Sequence, residues 1–458
     1  MTLASEVEAI GGLLKKYYES GPARKQFWAD HQITRRLYKN TRDIQGGTAT
    51  VGLHVGRNSG VASAANGESY GTPGKQTFNQ TTVPLKYLYM PTRFSGPDIA
   101  NSRGNAAAFA NVMTANMDGA LNDGKADLNR QLFSDGSGIL CFLTGDPSTV
   151  TATIEPYLWG PANKYVDIAG LEIEGIKVSD GLTNLTARTR ATAAVVSSTA
   201  IASATTCTIT TTGQEIATGA DGDAIGKYGA LMYSNGTLFN DYECMSLNGG
   251  IHNTDPIGST AYKYDAGDAG NPAVANFTGP ESQSHDWAVG SLTRTFQGIA
   301  TASYGWWKST VYGNGGVPRA LSFSLLDNML ATLRVTKGAK TSAIYTTWQV
   351  NQKLVDLIRA DRRYPDTMEL DGGLKVNSYQ GVPIIVDNDC PRGMAFFVDE
   401  SEIAMYVKED FTFIKDGQGN NMFKISGYDG YEVTGKVYCN LGFMNRNKHG
   451  KIIDILES

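Results

Sequence analysis

The chain has 458 residues, of which 41% are hydrophobic and 19% charged, and its formal net charge is −5. That length can hold roughly two to four domains with real cores, in a composition that is globular and not disordered. The slightly acidic balance and the lack of any Lys/Arg-rich block exclude a protein that coats nucleic acid or grips an anionic membrane through a basic patch.

In chain order, Val7, Ile10, Leu13 and Leu14 recur at helical spacing and predict a short amphipathic helix over residues 5–18. Polar, aromatic-studded sequence to about Thr41 reads as an extended arm. Residues 48–90 then read as one long β-hairpin. Val51, Leu53 and Val55 alternate with Gly52, His54 and Gly56 on the outgoing strand. Val83, Leu85, Tyr87 and Tyr89 alternate with Thr82, Pro84, Lys86 and Leu88 on the return. The tip, Arg57 to Gln80, is rich in Gly, Ser and Asn and broken by Asn66-Gly67 and Thr72-Pro73-Gly74. An isolated two-stranded ribbon is marginal in water, so its apolar face needs a cover, for which a neighbouring subunit is the natural candidate.

Ser102 to about Asp135 carries Phe109, Val112, Met113, Met117, Leu121, Leu128 and Leu132 on one stripe, with Ser102 as N-cap. Such a helix runs nearly 50 Å at about 1.5 Å per residue; Gly119 and Gly124 predict a bend within it. It stops at Asp135-Gly136-Ser137-Gly138. From about Glu172 to Thr293 the composition shifts to Thr, Ser, Ala, Gly and Asn. Short strand-like runs (Ala193–Val196, Thr206–Thr210, Ala230–Tyr233) alternate with turns such as Gly219-Ala220-Asp221-Gly222, predicting a small all-β insertion. After Pro318 the pattern is mixed: helices on Leu321 to Leu333 and Val350 to Ile358, strands at Val382–Val386, Ala395–Val398, Ile403–Val407 and Phe411–Ile414. A long strand from Tyr431 to Phe443 follows, whose alternation predicts a sheet with one covered face.

No catalytic, cofactor or metal motif emerges from the residues. Gly430 to Lys436 approaches a phosphate-binding loop, but Val437 stands where a Ser or Thr should hold magnesium and the segment alternates like a strand. His31, His54, His252, His285 and His449 lack ligand spacing and are expected at surfaces or interfaces. Asp221-Gly222-Asp223 lacks the terminal Glu of a calcium loop and reads as a turn. Trp306-Trp307 is expected in a core or a subunit contact before a sugar or base platform. The charges around Asp361, Arg362 and Arg363 read as a solvated or interface network. Cys141, Cys207, Cys244, Cys390 and Cys439 are odd in number and lack a C-x-x-C pair, so reduced, mostly buried thiols are expected. No secretory signal is visible, and the hydroxyl-rich stretch Ala191 to Gln214 makes a poor membrane span. A soluble, non-enzymatic protein without cofactor is the expectation.

The order of parts, helical arm, long hairpin, long helix, α/β domain and final long strand, resembles the major capsid proteins of tailed bacteriophages, the Hong Kong 97-like fold. The stretches that carry the resemblance are Gly56-Arg57-Asn58-Ser59-Gly60 and Pro84-Leu85-Lys86-Tyr87-Leu88-Tyr89 in the hairpin, and Asp127-Leu128-Asn129-Arg130-Gln131-Leu132-Phe133. Later come Gly315 to Leu321, Asp361-Arg362-Arg363-Tyr364, Asp371 to Asp387, and Tyr438 to Phe443. It covers most of the chain apart from the central insertion.

The resemblance implies an α+β shell subunit. Residues 1–44 would be an N-terminal arm and 45–96 an extended loop. Residues 97–170, with a spine helix, and 421–458, with the return strand, would form a peripheral domain. Residues 171–298 would be an inserted mainly-β domain and 299–420 an axial domain. Copies would form pentamers and hexamers that close an icosahedral head in the host bacterial cytoplasm. The head would enclose double-stranded DNA without sequence-specific binding and without a membrane. A scaffolding protein, a portal and a decoration protein are the implied partners, the scaffold as a separate protein because the arm begins almost at once. Arg57, Tyr70, Lys75 and Phe78 in the loop, with Arg362 and Arg363, are expected at inter-subunit contacts. A few relatives fuse subunits through a Lys–Asn isopeptide bond promoted by a Glu; Lys75, Asn420 or Asn421, and Glu432 are the residues that could take those roles. Two rival readings are a bacterial nanocompartment shell of the same fold and a secreted glycan-binding or hydrolytic β protein. The second should carry a signal peptide and a paired-carboxylate cleft, and neither is found.

Overall fold

The fold is taken from a computed structural model that describes residues 27–56, 58, 60, 61, 63, 66, 67, 74–97, 106–134, 138–143, 151–156, 164–166, 171–177, 183–184, 194–201, 207–212, 224–227, 231–234, 237–240, 243–252, 296–299, 304–314, 318–360, 367–370, 374–415 and 420–457. The helix expected over 5–18, the Ser102 cap, the Gly136-Ser137 stop and the turn at 219–222 lie outside these residues.

The long C-terminal strand, Gly430–Phe443, is the axis of a five-stranded sheet. Lys86–Ser95 pairs along one edge; Ile403–Phe413 and Phe423–Lys424 share the other, and Tyr38–Asn40 adds in parallel to Ile403–Phe413. Its alternation works as predicted over the first ten residues: Val433, Val437 and Cys439 are buried while Glu432, Thr434, Lys436 and Tyr438 are partly open. Beyond Cys439 both faces are covered, because the base of the hairpin lies on the outer one. The segment that approached a phosphate loop is this strand.

The spine helix, Ala106–Phe133, packs on the inner face through Met117, Leu121, Leu128, Leu132 and Phe133. Gly124 is where it crosses the strand Lys86–Ser95: a Cβ there would overlap the Met90 side chain, whereas Gly119 has open space. The helix glycine that looked like a weakness thus lies where the Met90 side chain fills the space a Cβ would take.

The hairpin strands are Thr48–Gly56 and Thr77–Pro84, antiparallel with Thr48 opposite Pro84. Two expectations are corrected here. First, the base is covered by its own chain. Ala49, Val83 and Leu85 cluster with Ala404 and Tyr406 of the main sheet, and each such side chain taken from water contributes about 1.5–3 kcal/mol. Second, the return strand is two strands. After Leu85, whose N–H donates to Gly47 O at 2.9 Å, the chain leaves the hairpin and joins the main sheet, so the inward face changes from Val83 and Leu85 to Leu88, Met90 and Phe94. Tyr87 and Tyr89, expected beside Val83, are each 49% exposed. The change of partner inverts the period-2 phase.

The extended arm is likewise docked where it is described. Phe27 and Trp28 are buried, Phe27 stacking on Phe411 at 5.8 Å between ring centroids, and Trp28 Nε1 donates to Asp410 at 2.7 Å. A short helix, Gln32–Arg36, follows, with Ile33 in the core. The aromatic residues that gave the segment a loop-like look are its anchors.

Between the spine helix and Glu243 the chain forms a small barrel. The strands pair in the ring Ile139–Leu143, Thr151–Pro156, Cys207–Thr212, Ala194–Ile201, Glu172–Lys177 and Ala224–Lys227, which returns to Ile139–Leu143. All these pairings are antiparallel, and closure removes free edges. Leu143, Ile154, Ile173, Val196, Cys207, Ile209 and Ile225 form a core separate from the main one. Strands of the kind expected of the insertion are present among the described residues, but the unit takes strands from both sides of residue 170.

A seven-stranded mixed sheet makes the third unit, in the order Thr310–Tyr312, Gly450–Ile452, Ala395–Val398, Ala343–Thr346, Val382–Val386, Leu374–Tyr379, Thr367–Leu370. Its central strands are buried on both faces, as continuous apolar runs require. Ile344, Ile384 and Phe397 pack under the helices Phe323–Ala331 and Trp348–Ala360, while Tyr345, Ile385 and Phe396 face the main core. The expected division at residue 420 is not where the sheets divide. Ile403–Phe413, one strand instead of two, belongs to the sheet of Gly430–Phe443, and Gly450–Ile452 crosses into the seven-stranded sheet.

Candidate assembly surfaces and the joints that hold them

Each surface begins with side chains that the strand phase leaves outside. On the hairpin, the outward set is His54, Phe78 and Gln80. Phe78 is 70% exposed and meets the His54 ring across the ribbon, at 5.3 Å. Val61 in the tip is 65% exposed, and Lys75 is exposed. A ring and a branched aliphatic side chain held in water on a thin ribbon are what a contact with a second molecule would cover.

The second surface is the outer face of the main sheet just beyond the hairpin base. Tyr438 packs edge-on against Tyr87, at 4.8 Å, and Tyr89, at 6.1 Å, with the Tyr89 and Tyr438 hydroxyls 3.4 Å apart. That bond pushes the Tyr89 phenol up to about 12. Lys436 Nζ stands 4.7 Å above the Tyr438 ring and is ion-paired with Glu409, which raises the lysine above its ordinary value. Arg93 and Glu432 continue the face at 3.3 Å. Aromatic rings flanked by both signs of charge are the composition of interface cores and rims.

Three polar joints hold these surfaces in place. At the C-terminal turn of the spine helix, Arg130 bonds Asp127 at 3.1 Å and pairs with Glu243, while Gln131 Oε1 accepts from Cys244 N at 3.0 Å. The start of the barrel and the chain leaving it are thereby clasped together. Beside it Asn129 Nδ2 donates to Asp387 at 3.0 Å and Asp389 at 2.6 Å, tying the helix to the seven-stranded sheet. Burial raises the Asp387 carboxyl above its usual range. Asp127, Asn129, Arg130 and Gln131 all belong to one resemblance-bearing stretch, and each has a structural post.

The second joint is Asn440, 2% exposed. It donates to Pro84 O at 2.5 Å and accepts from Met245 N at 2.7 Å, so one amide links hairpin base, central strand and post-barrel chain. The third is Glu400. Arg36 grips it bidentately, 2.7 Å at each oxygen, and Tyr345 donates at 2.7 Å. Burial alone would raise the Glu400 carboxyl, but these donors outweigh it and hold the group below its ordinary value.

Of the residues expected at contacts between subunits, Phe78 and Lys75 are exposed on the hairpin, while Arg57, Tyr70, Arg362 and Arg363 lie outside the described residues. Of the residues that could take the isopeptide roles, Lys75 is exposed on the hairpin, Asn421 is buried at 3%, and Glu432 is engaged by Arg93 and by Thr434 at 3.3 Å. Trp307 is fully buried, as a core reading expects. His449 and His252, expected at surfaces, are buried at 0% and 8%. His449 accepts from Asp399 N at 3.2 Å through Nδ1, and burial pushes it down to about 3. All five cysteines are free and buried. Missed at the sequence level were Tyr438 and Asn440 as individual contributors; the polar residues interrupting an apolar strand were the available signal.

The α+β class and the chain order of hairpin, spine helix, mixed sheet and return strand match the arrangement that the resemblance implied. No family model and no curated protein matches the chain. Among solved structures it is similar to a cyanophage A-1(L) capsid chain at 15% identity, over 92% of this chain and 90% of that one, with a TM-score of 0.46. It is also similar to the capsid of a native GTA particle (8% identity, 93% and 90% covered, TM-score 0.40) and, over a shorter span, to the SrpI encapsulin of Synechococcus elongatus PCC 7942 (14%, 32% and 53%, 0.25).

Proposed function

We propose that the chain is the shell subunit of a tailed-bacteriophage head, assembling through pentamers and hexamers into an icosahedral capsid around double-stranded DNA. The observation that carries the reading is the hairpin. Its base is anchored by Ala49, Val83 and Leu85, yet its outer half presents Phe78 and Val61 to water, beside a chain order of spine helix, mixed sheet and long return strand. An anchored ribbon with an uncovered apolar end fits a protein that finishes its fold on a neighbouring copy. The tyrosine face around Tyr438 is the second surface available to such a neighbour. In this reading the net charge of −5 lets the shell hold packed DNA without adhering to it, because the sequence has no Lys/Arg-rich block to grip the phosphates.

The seven-stranded sheet with its two helices would meet its copies at the symmetry axes. Scaffolding, portal and decoration proteins would be the heterologous partners, and assembly would take place in the host cytoplasm. Electron microscopy of the expressed protein tests the reading: closed particles of uniform diameter are expected, and a stable monomer whose hairpin resists protease would end it. Particles from infected cells that contain genome-length DNA separate a phage head from the nanocompartment shell, which would be filled with enzyme or empty.

A further inference from the structure

Cys244 and Cys439 are 195 residues apart in the chain, yet their sulfurs lie 3.9 Å from each other in the main core. The side chains are 2% and 0% exposed. Cys439 sits on the central strand, held on both edges opposite Val407 and Lys86. Cys244 occupies the irregular segment between Glu243 and the short helix Leu247–Gly250. Its backbone is fixed by Gln131, while its thiol reaches the Cys439 carbonyl at 3.5 Å. A disulfide brings two sulfurs to about 2.05 Å, so each need move only about 1 Å.

We propose that Cys244 and Cys439 form a dithiol that closes to an intramolecular disulfide on two-electron oxidation, stapling the chain that leaves the barrel to the central strand of the main sheet. Each thiol gives up its hydrogen, one S–S bond forms, and two electrons and two protons pass to the oxidant. A diazene such as diamide takes them up to become the hydrazine, and molecular oxygen takes them up to become hydrogen peroxide. Closing so long a loop restrains the unfolded chain strongly. The timing rests on the shell reading: thiols would persist in a reducing cytoplasm and the link would form after release. The chemistry does not depend on that reading.

The test uses the purified full-length protein under native conditions at about pH 8.5, treated with diamide, then denatured, alkylated and weighed. The expected result is uptake of three alkyl groups where the untreated chain takes up five, a Cys244–Cys439 peptide on mapping, and a Tm raised by about 5 °C that dithiothreitol reverses. Cys439→Ser should abolish the mass change and Cys141→Ser should leave it. The mapping is done on the wild-type chain, so it stands even if a serine variant fails to fold. No mass change in the folded protein, a link that forms only after urea unfolding, or a link through Cys141, Cys207 or Cys390 would overturn the proposal. Failure to form particles would not alter any of these readouts, so the two ideas fail separately.

Discussion

Single residues in the return strand show how little room the design leaves. At Gly442 an added Cβ would overlap the Tyr406 ring and come within 2.9 Å of Val83 Cγ2. Both neighbours are buried in the cluster that anchors the hairpin. Gly442→Ala is expected to destabilise the chain by about 1–3 kcal/mol, measured by denaturant unfolding; an unchanged midpoint would show that the cluster relaxes. His449 gives a pH prediction. Its folded value lies near 3 against an ordinary 6.5, so between those limits the unfolded chain binds a proton that the folded chain does not. Stability should therefore rise with pH across that window and level off above it. His449→Asn keeps an acceptor for the Asp399 N–H and removes the titration; its unfolding midpoint should depend less steeply on acid, and an identical slope would exclude His449 as the source. None of this was visible from the lone histidine in the sequence, whose burial is set by strands that meet only in the fold.

At the scale of elements, the hairpin is the part whose two ends differ most. Because Phe78 is 70% exposed, Phe78→Asp should change monomer stability by less than about 0.5 kcal/mol. It should nevertheless prevent particle formation, read by size-exclusion chromatography beside an unfolding curve; normal particles would remove Phe78 from the contact. Limited proteolysis of the unassembled chain should cut first within residues 60–74, where the sequence is rich in Gly and Ser, and a first cut elsewhere would argue against an uncovered tip. The alternation of Val51, Leu53 and Val55 made the outgoing strand legible. The phase inversion after Leu85 was not, because it depends on which strand Lys86–Ser95 pairs with, and that partner lies more than 300 residues downstream.

At the scale of the whole molecule, the barrel is a unit tied to the main fold by polar contacts, Tyr165 donating to Asp389 at 2.6 Å and Lys164 pairing with the same carboxylate at 3.3 Å. It has its own core, its ring of strands is closed, and its two chain ends are clasped by Arg130–Glu243 and Gln131–Cys244. Residues 135–242 expressed alone should therefore unfold cooperatively. A chain in which a short Gly/Ser linker joins Ser134 to Glu243 should keep the five-stranded and seven-stranded sheets. Loss of both cooperative transitions in a urea titration would mean that barrel and main fold are one unit.

What the sequence determined by itself was local. Helical stripes placed the spine helix within a few residues, and period-2 alternation found the hairpin and the return strand. Composition marked the insertion as β-rich, because burying one face of a helix or strand leaves its period in the chain. Only the tertiary structure decided which sheet each strand joined, and it did so for a physical reason. Backbone hydrogen-bonding groups are the same in every strand, so partner choice is made by side chains remote in sequence. Leu85 meets Tyr406, Asn440 reaches Pro84, and Ile403–Phe413 turns from the seven-stranded sheet to the five-stranded one. The same logic placed Cys244 against Cys439 and put three tyrosines on one outer face, neither of which leaves a periodic trace.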